Sequence, residues 1–270
     1  MQAMIDALYL GRLMASSKGF AANAAFESRG AHPTAFIDTA EPLTYYGNSE
    51  GSLMGGAVTA LSTEWRRAVL GVPSMNYSIL LPRSVDFASL YSFLDKSYPD
   101  EQTQQLIFDI LQMLFDRGET DGYVEQLTVH PLPGTPSHQV LLQMAFGDHQ
   151  VSNFTTEIEA RTLGAAVHRP ALPAHLVAGD PFAGLPSAGT TSRAPAVLYV
   201  WEDPHTPPPP LTDVAPAGGI DPHDFIPRSL PAAQRQLDHF LTTGTVTDVC
   251  GSAPCTTTVT GAVHLAHPTP

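Results

Sequence analysis

The chain has 270 residues and a formal net charge of −13, and this length suits one large domain or two small ones. Because nucleic acids and anionic membrane surfaces are recognised through clusters of Lys and Arg, the charge argues against both as partners. The hydrophobic fraction of 43% is sufficient for a core, and no apolar run approaches the length of a membrane span.

The first predicted elements are a helix and a strand joined by a loop. Residues 1–18 carry apolar side chains near helical spacing and predict an amphipathic helix. The loop contains His32, and a loop histidine beside a proline favours a structural role over that of a catalytic base. Residues 43–47 form an apolar, aromatic run that predicts a strand, and the small residues from about Glu50 onward predict a closely packed helix.

A serine flanked by glycines stands between this strand and this helix. The segment is Gly47-Asn48-Ser49-Glu50-Gly51, which matches the G-x-S-x-G pattern of a nucleophile elbow. The glycines allow a strained turn without Cβ clashes, and the turn would hold the serine hydroxyl at a helix N-terminus, where free N–H groups favour a developing oxyanion. The alternative interpretation is a glycine-rich turn whose serine only caps the helix.

The middle of the chain predicts a second strand and a helical block. Residues 67–73 are apolar and suit a buried parallel strand, which completes a β-α-β unit with the first strand. Residues 74–84 predict a loop, and helical periodicity follows within residues 85–130. This block is either a cap over the sheet or a helix packed on its face. Its apolar stripe comprises Leu106, Ile107, Ile110, Leu111, Leu114 and Phe115.

Two later strands are followed by an acid and a histidine. Residues 139–147 form the clearest strand after the elbow, and Asp148 follows it, at the end of the strand where parallel sheets place their ligands. A strand at residues 195–201 leads through a proline-rich connector to a loop that contains His223. A helix over residues 231–241 is predicted next.

The chain order of these residues is serine, aspartate, histidine, which is the order of α/β-hydrolase triads. On these residues, and on the alternation of strands and helices over residues 43–241, the chain resembles the α/β-hydrolase superfamily, and its esterase and lipase members in particular. The resemblance implies a single α/β-hydrolase-like domain over residues 1–270, with a mainly parallel sheet flanked by helices. It also implies that residues 85–130 are a helical cap or lid.

The resemblance further implies the chemistry of a serine hydrolase. Ser49 would be the nucleophile, His223 the base and Asp148 the acid that orients it, while Glu50 would give its backbone N–H to the oxyanion hole. The expected reaction cleaves a small or polymeric carboxylic ester through an acyl-serine, with no metal and no organic cofactor. A serine peptidase or acyltransferase on the same triad and a degenerate, non-catalytic binding module are the alternatives.

Other residues compete for two of these roles. Asp180 and Asp203 are the rivals for the acid, and Asp148 is favoured because it directly follows a strong strand. His205 is the rival for the base, whereas His149, beside the acid, is expected to pack or to line the site.

The chain departs from the superfamily before the elbow. Only about forty residues precede the elbow strand, so the usual first strands and an HGGG-type oxyanion segment are missing. Loss of one oxyanion donor costs about 2.7–4 kcal/mol of transition-state stabilisation. Tyr45, Tyr46 and Asn48 are candidate substitutes. The elbow strand should lie at or near a sheet edge, which the N-terminal helix or a second subunit in a homodimer is expected to cover.

The two cysteines lie close together near the end of the chain. Cys250 and Cys255 flank a short loop with Gly and Pro, which predicts a local disulfide, since a metal site would need more ligands nearby. A disulfide indicates an extracytoplasmic, secreted protein. The N-terminus does not read as a signal peptide, so this expectation supposes that the numbered chain begins downstream of a removed or missing segment. Residues 245–270 are expected to form an extended tail.

Overall fold

A computed structural model describes residues 1–176 and 178–257 of the chain. The helices are α1 (Gln2–Ala15), α2 (Glu50–Leu53), α3 (Gly55–Leu61), α4 (Tyr77–Leu80), α5 (Ala88–Ser97), α6 (Glu101–Phe115), α7 (Val124–Leu127), α8 (Asn153–Thr162) and α9 (Pro231–Thr243). The strands are β1 (Leu43–Asn48), β2 (Trp65–Gly71), β3 (Gln139–Ala145), β4 (Ala166–Val167), β5 (Thr191–Ser192), β6 (Ala196–Glu202), β7 (Val246–Thr247) and β8 (Cys255–Thr256). Short 3₁₀ helices occupy Phe20–Ala22, Ala24–Phe26, Leu81–Arg83, Val85–Phe87 and Asp121–Tyr123.

Six strands form one parallel sheet. Its order is β1-β2-β3-β6-β4, with β8 also paired to β6, and every pairing within it is parallel. Strands β5 and β7 form a separate antiparallel pair. Because each parallel neighbour needs a crossover, the helices lie on the faces of the sheet, and the predicted α/β class is confirmed.

Alternate side chains of the strands feed two cores, one on each face of the sheet. On one face, Leu70 and Leu142 pack with residues of α3, α7 and α8. On the other face, Val69 and Leu141 pack with α9, including its Phe240. This alternation follows from the period of two along a strand, and it buries the middle of the sheet on both sides.

The elbow strand β1 lies at the edge of the sheet, as expected, and pairs only with β2 among the described strands. Helix α1 packs against its side chains through Met4, which joins Trp65 and Tyr45 in a small core. A Cβ placed on Gly11 would lie 2.7 Å from the Trp65 ring, so α1 approaches the sheet at a point where only glycine fits. The N-terminal helix therefore covers Leu43 and Tyr45 on one face of the edge strand.

The helices between β2 and β3 differ from the expectation in two ways. Residues 74–84 were expected to be a loop, but they include α4 and a 3₁₀ turn. The apolar stripe of α6 is not packed on the sheet: Leu106, Ile110 and Leu114 are 59%, 56% and 62% exposed. The buried side chains of α6 are instead Gln104, Phe108 and Gln112.

Polar contacts explain why the glutamine face of α6 points inward. Gln112 Oε1 accepts the backbone N–H of Ser78 at 2.8 Å, and its Nε2 donates to Asp116 and Glu119 at 2.6 and 2.5 Å. Gln104 Oε1 accepts the Tyr91 hydroxyl at 2.8 Å. Buried amides with partners on α4 and α5 thus orient the helix, and its apolar stripe is left mostly exposed.

The end of the described chain closes on the sheet. The predicted Cys250–Cys255 disulfide is present, and β8 extends the sheet next to β6. A disulfide indicates an oxidising compartment. The expected extended tail falls partly on residues 258–270, which lie outside the described residues. Among the residues described, no helix combines the length and apolar character needed to cross a membrane.

Candidate active site

The turn at Ser49 has the strained backbone that its glycine neighbours predict. Ser49 adopts φ 58° and ψ −125°, which is rare for a residue with a side chain. A Cβ on Gly47 would lie 2.0 Å from the Gly51 carbonyl oxygen, so the close approach of strand and helix requires glycine there. The Ser49 N–H donates to the Gly71 carbonyl at 3.0 Å and fixes the turn to β2.

Three side chains from distant parts of the sequence meet at this turn. The Ser49 Oγ lies 2.8 Å from His223 Nε2, and the other ring nitrogen, Nδ1, lies 2.9 and 3.0 Å from the carboxylate oxygens of Asp148. Ser49 follows β1, Asp148 follows β3 and His223 follows β6, all at the carboxyl ends of parallel strands. The structure therefore places the three sequence-predicted residues in one hydrogen-bonded chain.

The carboxylate at the end of this chain is buried and held by the backbone. Asp148 is 1% exposed, and its Oδ1 accepts the N–H groups of Gln150 and Val151 at 2.9 and 2.8 Å. Burial raises the pKa of this carboxyl, and the hydrogen bonds from His223 and from the two backbone groups act in the opposite direction. The hydrogen bonds thus offset part of the cost of burying this carboxylate.

The histidine is 4% exposed, and two opposing effects act on its pKa. Burial lowers the pKa of His223, but the hydrogen bond and charge of Asp148, with the charges of Asp221 and Asp224, raise it above its ordinary value. Since Nδ1 faces a carboxylate, the neutral ring carries its proton there and presents Nε2 to Ser49 as an acceptor. This is the arrangement that a general base requires.

Asp221 connects the two loops that carry the acid and the histidine, a role the sequence analysis missed. Its Oδ1 accepts the N–H groups of His149 and His223 at 3.2 and 3.0 Å, and its Oδ2 accepts Gln150 Nε2 at 2.9 Å. An aspartate side chain that accepts the backbone N–H two residues later forms an Asx-turn. The Asp221-Pro222-His223 spacing was therefore the signal in the sequence that could have revealed this role.

The residue expected to donate its backbone N–H to an oxyanion is Glu50, directly after Ser49. Glu50 is the first residue of α2, where backbone N–H groups have no partner within the helix. Ser52, also on α2, donates its hydroxyl to the carbonyls of Ser49 and Val72 at 2.7 and 3.1 Å. These hydrogen bonds anchor the turn to the loop after β2.

The three candidate substitutes for a second oxyanion donor have different surroundings. The Tyr45 hydroxyl donates to the Gly51 carbonyl at 2.6 Å and is engaged. Tyr46 is 43% exposed on the edge strand. The Asn48 amide is buried, and within the described chain neither its Nδ2 nor its Oδ1 has a hydrogen-bond partner. Asn48 is thus the one of the three with an uncommitted buried donor.

The rival residues are engaged elsewhere. Asp180 forms an ion pair with Arg169, and Asp203 accepts hydrogen bonds from His205 and Thr257. His205 is exposed and contacts its own neighbour Asp203 instead of the serine. His149 is tied to Asp221 through its backbone N–H, beside the acid, while its Nε2 has no partner in the part of the chain described.

An apolar cavity lies next to the nucleophile turn. It has a volume of about 310 Å³ and reaches from Glu50 to the helices between β2 and β3. Its walls include Met54, Leu81, Phe87, Leu114 and Phe115. Hydrophobic walls of this kind are typical of a small-molecule binding site.

Comparison with known proteins finds no relative: no family model, no curated protein and no solved structure matches this chain. The functional interpretation therefore depends on the geometry of the site.

Proposed function

We propose that the chain is a serine hydrolase with an α/β-hydrolase-like fold that cleaves carboxylic esters through an acyl-serine intermediate. The observation that carries the proposal is the continuous hydrogen-bonded chain from Ser49 Oγ through the His223 ring to Asp148, with distances of 2.8 and 2.9 Å. Serine is a weak nucleophile at neutral pH. In this hydrogen-bonded series, His223 supplies the base and Asp148 the group that orients the base.

The proposed reaction begins when His223 Nε2 takes the proton of Ser49 Oγ as the oxygen attacks the ester carbonyl carbon. Asp148 stabilises the imidazolium that forms, and the Glu50 N–H donates to the negatively charged carbonyl oxygen. The same imidazolium then protonates the departing alcohol. Water, deprotonated by His223, attacks the acyl-serine and releases the acid, which regenerates the free serine.

The cavity beside Glu50 supports an ester with an apolar acyl or alcohol group. Its walls are mostly aliphatic and aromatic, so burial of a hydrocarbon chain there is favourable at about 25 cal/mol per Å². We therefore infer that uncharged esters with several carbon atoms in one arm are better substrates than acetate esters. A series of p-nitrophenyl esters of increasing chain length measures this preference.

Covalent labelling with a fluorophosphonate probe tests the proposal. Wild-type protein should bind one probe per chain at Ser49 and turn over p-nitrophenyl esters, and Ser49→Ala should lose both. Ser89→Ala, which alters an exposed serine, is the matched control and should behave as the wild type.

Two outcomes would contradict the proposal. Folded wild-type protein that takes up no probe would favour a non-catalytic binding module. Labelled protein that turns over peptides, or transfers acyl groups, without ester hydrolysis would favour a peptidase or an acyltransferase.

A further inference from the structure

The loop closed by the Cys250–Cys255 disulfide lies against a buried histidine that the proposed reaction does not use. A ring nitrogen of His168 and both sulfur atoms lie within 4.8 Å of one another. His168 and Cys255 are buried, and Cys250 is partly buried. His168 directly follows β4, and Cys255 begins β8, so the loop lies at the sheet. The two cysteines are separated by four residues, a spacing that zinc sites use.

The hydrogen bonds of His168 leave one nitrogen free to act as a ligand. Nε2 lies 2.9 Å from the Ala253 carbonyl oxygen, and a carbonyl can only accept, so Nε2 carries the proton. In the neutral ring, Nδ1 then has a lone pair. Metal-binding histidines usually donate their second N–H to a carbonyl or carboxylate in this way.

The lone pair of Nδ1 faces a carboxylate. Asp248 Oδ1 lies 3.6 Å from Nδ1, and its side chain is 11% exposed. Two ligands about 2.0–2.2 Å from a tetrahedral zinc ion are about 3.4 Å apart. The separation of the two atoms thus matches that of two ligands on one ion, and Asp248 is held in place by the N–H groups of Cys250 and Gly251.

We propose that, when the disulfide is reduced, the chain binds one zinc ion through Cys250, Cys255, His168 and Asp248. A dithiol reductant would be oxidised to its own disulfide as it passes two electrons and two protons to the two cysteines. Zinc then displaces the two thiol protons, which leave to solvent, and the thiolates become ligands. Disulfide and zinc are therefore alternative closures of the same loop.

Metal titration of the full chain tests this site. The protein is reduced with a phosphine, freed of reductant without air, and titrated with Co²⁺ and then Zn²⁺. Reduced wild type should take up one Co²⁺ with thiolate-to-cobalt charge-transfer absorption that Zn²⁺ abolishes, and oxidised protein should take up none. His168→Gln and Asp248→Asn should each weaken binding at least about 10-fold, whereas His239→Gln, on the surface of α9, should not.

Two results would overturn the proposal. One is reduced wild type that binds no more Co²⁺ than the Cys250→Ser/Cys255→Ser double variant. The other is wild-type affinity in both His168→Gln and Asp248→Asn, which would show binding by the sulfur pair alone. Circular dichroism of the oxidised variants verifies their fold. If His168→Gln does not fold, Asp248→Asn still tests whether a ligand is lost.

Discussion

At the scale of single residues, the proposed chemistry depends on whether the His223 ring is neutral or protonated. Only the neutral ring can accept the proton of Ser49, and the pKa of His223 is raised above its ordinary value of 6.5. We therefore expect kcat/KM for esters to rise with pH through an inflection above 6.5, which a pH–rate profile measures.

Asp148→Asn should change both the position of this inflection and the rate. The amide has no negative charge to raise the His223 pKa, and its N–H₂ group can donate to Nδ1, which would force the ring proton onto Nε2. We expect a lower inflection and a fall in kcat of about 10⁴-fold. An unchanged profile in this variant would contradict the role given to Asp148.

Glu159, on α8, predicts how stability depends on pH. It is 0% exposed, and neither of its carboxylate oxygens has a hydrogen-bond partner in the described part of the chain. Burial, and then the charges of Glu119 and Asp121, raise its pKa from 4.5 to about 8. The folded state holds this proton more tightly than the unfolded state, so stability is full below 4.5 and is lost as pH rises to about 8.

Glu159→Gln removes the charge and should weaken this dependence. Each unit of pKa shift corresponds to about 1.4 kcal/mol. We expect the variant to be more stable than wild type at about pH 9 and no more stable at about pH 5, by urea denaturation at both values. Glu125→Gln, an exposed glutamate on α7, is the control. Equal pH dependence in Glu159→Gln and wild type would refute the prediction.

At the scale of elements, local patterns predicted the core of the fold. Strands β1, β2, β3 and β6 were each visible as apolar runs, and the glycines around Ser49 predicted its strained turn. Strands β4, β5, β7 and β8 have two residues each, too short for a periodic signal. These short strands form only because they pair with strands that are distant in the sequence, and a single sequence does not show which strands become neighbours.

The orientation of α6 shows a second limit of the sequence. Its apolar stripe is regular, yet the helix turns Gln104 and Gln112 inward because their amides find partners on other elements. A hydrophobic pattern identifies which residues form a helix, but buried polar networks decide which face is covered. The site residues Ser49, Asp148 and His223 were accessible from sequence because each sits at a strand end or loop with a local signature.

The contact between Gly11 of α1 and Trp65 predicts the effect of a substitution on stability. Alanine is a better helix former than glycine by about 1 kcal/mol, but a Cβ at position 11 would lie 2.7 Å from the Trp65 ring. We expect Gly11→Ala to lower the free energy of unfolding by about 1–3 kcal/mol, because Trp65 or the helix must shift. Chemical denaturation measures this.

Tyr9→Ala is the control for this prediction, since Tyr9 is 65% exposed on the same helix, and it should change stability by less than about 0.5 kcal/mol. A Gly11→Ala variant more stable than wild type would show that the helix is not held against Trp65.

At the scale of the whole molecule, the free edge of β1 bears on association. This strand has one partner strand among those described, and Tyr46 on it is 43% exposed. An unpaired edge is a template for another chain. We expect a homodimer, and Tyr46→Lys should shift it to monomer, as measured by light scattering after size exclusion. Leu211→Lys, which alters an exposed loop residue, should leave the dimer intact. A wild type that stays monomeric at high concentration would exclude this assembly.

The parallel sheet also has a consequence for biosynthesis. Ser49 and His223 are 174 positions apart, and strands β2, β3 and β6, which lie side by side in the sheet, stand between them in the chain. A ribosome would therefore expose the serine long before its base exists, and the hydroxyl would stay as unreactive as any other alcohol until His223 has been made and has reached the sheet. Reactivity would thus arise only after two segments far apart in the sequence have both been made and have folded together.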